Sequence, residues 1–405
     1  MLVSINSEKS SLSSLRKRWG WLAALFAGSI LILYGCLFLT IPHVYAQQWL
    51  AQTAVIAAYC LWIVWRYLPE NYRPVIESVE AAVLPTFGWG NGLTLLRGLF
   101  VSMVAGFLFI PWPSGWLAWL PALLYTSAAI ADFLDGFVAR KTNHATLLGA
   151  RLDMEFDGLG MFIVSLLAVW YGQLPWWYLS IGLARYFFIV GLWLREKRHL
   201  AIREMPHSWH RRIFAGFQMG FMSVVLWPIV PAWGATIAGT LFALATSASF
   251  LRDWFIVIGW LDPHAASYQA RQRQLYRLFS FYLPPLFRFV FAGCGLILMG
   301  RIDTLWQPTG WVTLFNGWHL PFPAVLASFL AGVGLIAMVM ITMGAMGRIM
   351  AFFILFPLGF DMIVTGPNLV NTIAISCVIM ILMLGTGARS LWQPEERFMY
   401  LRAGE

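Results

Sequence analysis

The feature that most constrains this chain is a series of long apolar runs that begins at Gly20 and continues into the C-terminal region. Runs of roughly 18 to 25 residues are long enough for a helix to cross about 30 Å of hydrocarbon. About twelve are present, near 20–41, 48–67, 91–110, 115–137, 149–171, 176–194, 213–230, 234–256, 284–300, 322–345, 349–365 and 368–386. The expected fold class is all-α, a polytopic membrane protein of about twelve transmembrane helices. Composition points the same way. With 60% hydrophobic residues, 11% charged residues, 22 tryptophans and a mean hydropathy of +0.71, the chain has too little polar surface to clothe a water-soluble core.

The net charge of +9 does not point to nucleic acid, because of where the charges lie. Basic residues gather in "EKSSLSSLRKRWG", "WRYLPENYR", "REKRHLAIREMPHSWHRR" and "RQRQLYR", whereas "PWPSG", "YGQLPWW" and "PIVPAWG" carry none. Alternate connections are basic, so the positive-inside rule assigns both termini and the basic loops to the cytoplasm. The first apolar run is too long for a signal peptide and lacks a small-residue cleavage site, so it is expected to be retained as a helix. Cys36, Cys60, Cys294 and Cys377 stand singly in apolar runs without metal-ligand spacing.

Three blocks organise the chain. Residues 1–67 form a basic tail and a helical hairpin, 68–262 hold most of the polar residues set within apolar runs, and 263–405 comprise a basic linker and four further helices. Within the middle block, "PVIESVEAAVL" sets Val75, Val79 and Ala82 opposite Glu77 and Ser78, as a short helix lying on the membrane surface would.

Four of the eight aspartates fall in "ADFLDGFVARKTNHATLLGARLDMEFDG", between two apolar segments. On a helix, Asp132 and Asp135 share a face, with Ala139 a further turn on, and Gly149, Asp153 and Asp157 make a stripe on the next helix. A short turn, "KTNHATLL", would bring the two stripes face to face at the cytoplasmic edge. Four carboxylates so placed do not all stay ionised without cations among them. Oxygen-only ligands suit Mg²⁺ or Mn²⁺. Gly136 and Gly149 leave the helix backbones open to a bulky ligand, and Arg140 adds a cation suited to phosphate. Together these features imply phosphoryl transfer, against the common alternative that a charge cluster is a solvated loop.

Written out, Asp132-x2-Asp135-Gly136-x2-Ala139-Arg140-x8-Gly149-x3-Asp153-x3-Asp157 resembles the signature of the CDP-alcohol phosphotransferase (CDP-alcohol phosphatidyltransferase) family at all eight fixed positions. The resemblance extends to "NGLTLLR", with Asn91, Thr94 and Arg97, although Gly90 stands where the family usually has proline. Farther on, "HRRIFAGFQ" is similar to a family stretch, with Arg212 in place of a lysine and Gln218 matching a glutamine. The resemblance covers about residues 70–260 and implies a six-helix core open to the cytoplasm.

It also implies a mechanism. A CDP-linked donor, typically CDP-diacylglycerol, would lay its diphosphate across two Mg²⁺ or Mn²⁺ ions held by Asp132, Asp135, Asp153 and Asp157. Asn91, Thr94, Gly136, Ala139, Arg140 and Gly149 would accommodate the cytidine and phosphates. Asp157 would take the proton from the acceptor hydroxyl as CMP leaves. The family residues do not separate ligand from base at Asp157, nor name the acceptor alcohol. Arg185, set inside the apolar run "IGLARYFFIVGL", and Arg212 are the expected contacts for a phosphorylated acceptor such as glycerol 3-phosphate or an inositol phosphate; pairing with a neighbouring acid is the alternative for Arg185. Glu155 lies off the metal stripe and is expected to face the loop or a basic partner.

The last block, with "FRFVFAGCGLILMG" and "LMLGTGARSLWQPEERF", is weakly similar to small four-helix DoxX-like membrane modules. That similarity leaves scaffolding, dimerisation and lipid delivery open, with a homodimer among the assemblies to test. Two other function classes stand beside the enzyme: a divalent-cation transporter, which would place its ligands at mid-membrane on broken helices, and a non-catalytic membrane scaffold. The expected location is a bacterial plasma membrane.

Overall fold

The structure, a computed structural model, describes residues 2–73, 82–204, 209–300 and 308–396. The surface helix expected from Val75 and Val79 lies outside the described residues. Among the described residues the chain forms α-helices and no strand. These are α1 (Leu2–Thr40), α2 (His43–Tyr67), α3 (Gly88–Ala105), α4 (Leu120–Lys141), α5 (Leu147–Trp170), α6 (Leu179–Lys197) and α7 (Trp209–Val225). They continue with α8 (Ala232–Val257), α9 (Ala266–Arg277), α10 (Leu283–Met299), α11 (Thr309–Gly317), α12 (Pro323–Met343), α13 (Gly347–Thr365) and α14 (Leu369–Leu384).

Each apolar run read from the sequence is a helix, and the molecule is an all-α polytopic membrane protein. By length and composition, eight described segments can cross a membrane, and α7 and α14 add shorter apolar stretches, Ile213–Val225 and Leu369–Leu384. α3 and α5 fall short of that apolar standard because they carry the polar residues of the site. The basic linker is itself helical. Its Ala, Gln, Arg and Leu are strong helix formers, and α9 runs through a π-helical turn at Leu278–Tyr282 into α10.

The chain packs as two compact units, residues 1–186 with 222–228, and residues 187–221 with 229–405. In the first unit α3 is the central helix, packed on α2, α4 and α5. Small residues let the backbones approach. A methyl group at Gly90 would come within 2.5 Å of the Cβ of Ala139 on α4, and one at Gly98 within 2.8 Å of the Phe156 ring on α5. The indole of Trp49 on α2 donates to the Met103 carbonyl at 3.1 Å and packs edge-on to Phe107, 6.1 Å between ring centroids.

The second unit has its core where α10, α12, α13, α14 and α8 meet, around Phe242, Phe291, Ile354 and Val378. Two buried arginines close the helix ends there. Arg288 donates to the carbonyls of Ile341, Thr342 and Thr386, at 2.7–3.3 Å. Arg348 donates to Leu382 and Met383 at 2.7 and 3.0 Å and pairs with Glu396 at 2.8 Å. Cations placed there satisfy the last carbonyls of α12 and α14 and suit the negative ends of those helices. All four cysteines are free.

Candidate active site

The turn between α4 and α5 is built from local hydrogen bonds. At the end of α4, Asn143 adopts φ +52°, a conformation asparagine tolerates better than most residues. Its N–H donates to the Arg140 carbonyl at 3.1 Å, and the N–H of His144 donates to Ala139 at 2.8 Å, the paired bonds of a Schellman stop. Two residues later Thr146 caps α5, its hydroxyl accepting from the N–H of Gly149 at 3.1 Å. Stop and start are so close that the aspartates of α4 and α5 come to one end of the first unit. One oxygen from each of Asp132, Asp135 and Asp153 lies within 4.8 Å of the others.

The two stripes do not simply face each other, as the sequence suggests. α3 packs on both α4 and α5, and its Arg97 occupies the middle of the carboxylates. The guanidinium is 1% exposed. Nη1 pairs with Asp132 and, at 3.1 Å, with Asp157, while Nη2 reaches Asp153 Oδ1 at 2.9 Å and the Asp153 carbonyl at 3.0 Å. Asp135, 7% exposed, accepts instead from the Thr94 hydroxyl at 2.8 Å. Asn91, Thr94 and Arg97 are spaced by three on α3 and present one side to the site.

Asn91 is a structural tie. Buried at 2% exposure, it donates to the Thr146 hydroxyl at 2.9 Å and to Asn71 Oδ1 at 3.5 Å. Asn71 in turn holds the Leu84 and Thr86 carbonyls at 2.9 and 2.8 Å. A methyl group at Gly149 would run into Asn91 Oδ1, so that glycine makes room for Asn91. Gly136 differs: a methyl group there would meet only the end of Arg140, at 3.3 Å. Ala139 packs against Gly90. Arg140 is exposed and has no ion pair among the described residues.

Glu155 pairs with Arg185 at 3.5 Å, and the Arg185 stem lies across Gly158, where a methyl group would come within 2.6 Å of its Cδ. The Arg212 side chain lies outside the described residues. The donor set fits a hard divalent cation: the convergent ligands are all carboxylate oxygens, and no His or Cys joins them among the described residues.

The CDP-alcohol phosphatidyltransferase family model matches residues 87–259. Residues 87–259 form a CDP-alcohol phosphatidyltransferase domain. The chain is 27% identical over 187 residues to a protein named putative cardiolipin synthase from Mycobacterium bovis, a match covering 46% of this chain and 85% of that relative. It is 29% identical over 142 residues to the CDP-diacylglycerol–glycerol-3-phosphate 3-phosphatidyltransferase of Salmonella typhimurium, covering 33% of this chain and 74% of the relative. The Escherichia coli enzyme of that name is 28% identical over the same length. No solved structure matches.

Residues 87–259 therefore make up a transferase domain for substituted phosphate groups. Within the transferase domain, Arg97 is the residue whose position the sequence concealed. Its spacing from Asn91 and Thr94 was visible, but nothing in one basic residue on an apolar helix reveals that three aspartates close around it. Asn71 and Thr146 were missed for a similar reason: each acts through a partner far away in sequence.

Proposed function

We propose that this protein transfers a phosphatidyl group from CDP-diacylglycerol to an acceptor alcohol, releasing CMP, with glycerol 3-phosphate as the favoured acceptor. The observation that carries the reading is the convergence of Asp132, Asp135 and Asp153 oxygens within 4.8 Å, beside an exposed Arg140. Asp132, Asp135, Asp153 and Asp157 would hold two Mg²⁺ or Mn²⁺ ions, which supply charge neutralisation for the diphosphate and the departing CMP. Arg140, lying over Gly136, offers its guanidinium to a donor phosphate, and the open Gly136 backbone admits the nucleotide. Asn91 and Thr94 hold this face in shape, Asn91 through Thr146 and Thr94 through Asp135. Asp157, 49% exposed, takes the proton from the acceptor hydroxyl as that oxygen bonds to the phosphorus and the bond to CMP breaks.

The acceptor assignment draws on the printed name of the Salmonella relative and on Arg185. The 3.5 Å pairing with Glu155 is loose and the Arg185 side chain is 29% exposed, so it can turn to an acceptor phosphate. Arg212 is proposed as a second contact. Catalysis is assigned to residues 68–262, with the hairpin 1–67 and the helices of 263–405 as accessory parts. The basic connections support a plasma membrane location with the site and both termini cytoplasmic.

The test is an acceptor panel with CDP-diacylglycerol and Mn²⁺, products identified by mass. CMP release with glycerol 3-phosphate, and a rise in KM for it in Arg185→Gln of at least about tenfold, a charge-assisted bond being worth about 1.5–3 kcal/mol, are expected. CMP release only with a lipid alcohol would overturn the acceptor assignment.

A further inference from the structure

Charge counting within the carboxylate set limits what it can hold. Asp132, Asp135, Asp153 and Asp157 carry four negative charges when ionised, and Arg97 supplies one positive charge at their centre. One divalent ion added beside Arg97 leaves the set at −1. A second, with the guanidinium still in place, would bring it to +1 and would compete for oxygens that Arg97 already holds. Two divalent ions alone neutralise the four carboxylates. Arg97 already engages an oxygen of three of the four carboxylates, so a second ion must displace it from ligands unless a new anion arrives with oxygens of its own.

The structure shows where such an anion comes within reach. Arg97 is wholly covered, yet the three carboxylates it holds are partly open, Asp132 at 24%, Asp153 at 45% and Asp157 at 49% exposure. Arg97 Nε has no hydrogen-bond partner. A diphosphate approaching over the partly open carboxylates would bring oxygens of its own to the ions, and planar guanidinium is well shaped for phosphate oxygens once its carboxylates turn to metal.

We infer that Arg97 is an internal counterion that holds the carboxylates together while one metal site is filled, and that it makes filling of the second site conditional on the diphosphate of the nucleotide donor. This rests on the metal reading given above. Arg97 is a positioning residue: it sets the order in which metal and nucleotide assemble.

The experiment is Mn²⁺ binding to the full-length protein in detergent, followed by calorimetry and electron paramagnetic resonance, with CDP as the diphosphate probe. Two Mn²⁺ ions about 3.5–4 Å apart couple magnetically, so their spectrum differs from that of a single ion. The wild type is expected to bind one uncoupled Mn²⁺ alone and a coupled pair once CDP is added. Arg97→Met is expected to form the coupled pair without CDP, its second ion bound at least about tenfold more tightly than in the wild type, since a neighbouring positive charge has been removed. A coupled pair in the wild type without CDP, or a continued need for CDP in Arg97→Met, would overturn the inference. Absence of Mn²⁺ binding with and without CDP would overturn the metal reading as well. Should Arg97→Met not fold, the two wild-type measurements decide alone.

Discussion

A methyl group added at Gly136 would meet only the movable end of Arg140, whereas one added at Gly149 would land on Oδ1 of Asn91. The two glycines occupy equivalent-looking places in the motif, and both were read as openings for a ligand. The structure separates them. Gly136→Ala should leave thermal stability unchanged or slightly raised, because alanine is the better helix former by about 1 kcal/mol, while CMP release falls as the nucleotide loses its open backbone. Gly149→Ala should instead lower stability by about 1–3 kcal/mol, since Asn91 and Thr146 lose their mutual bond in a buried place; Asn91→Ala should match it in thermal unfolding. Equal stability losses for the two glycine variants would contradict this division. The eight motif residues were legible because their spacing is local to two helices. Arg97, Asn71 and the true partner of Gly149 were not, because their meaning depends on the third helix that packs between.

At the scale of elements, apolar length marked out every long helix, and charge placement marked the turn between α4 and α5. The helical character of α9 and the existence of α11 were missed, the first because a basic stretch was read as a linker and the second because nine residues give little periodicity to detect. What positions the site is the close packing of α3, which no single-helix pattern displays. Gly98→Val is expected to press on the buried Phe156 ring and cost about 1–3 kcal/mol as overpacking does, read as a lower midpoint in thermal unfolding. In the second unit, Arg348→Met would leave Glu396, 14% exposed, without its partner and remove the donors to Leu382 and Met383. Breaking a buried pair costs about 3–5 kcal/mol. Thermal unfolding monitored by circular dichroism would show the drop, and rescue by the double variant with Glu396→Leu would assign it to the stranded charge.

For the whole molecule, a transferase domain at residues 87–259 extends past the division between the two compact units, because α8 belongs to the second. α8 packs against α14, with Phe242 in the core that α10, α12, α13 and α14 share. A chain ending before residue 284 would strip the cover from α8, so it is expected to be recovered mainly as aggregate by size exclusion; a monodisperse, fully active truncation would show that α10–α14 are dispensable. In the proposed reaction, transfer depends on metal and Asp157 is the base. This is tested most directly by CMP release from CDP-diacylglycerol and glycerol 3-phosphate as Mn²⁺ is titrated, in the wild type and in Asp157→Asn. Saturable release that stops when the metal is chelated is expected, with a fall of at least about a hundredfold in Asp157→Asn, the usual weight of a general base. Release that persists in chelator, or that Asp157→Asn leaves intact, would contradict the proposed reaction.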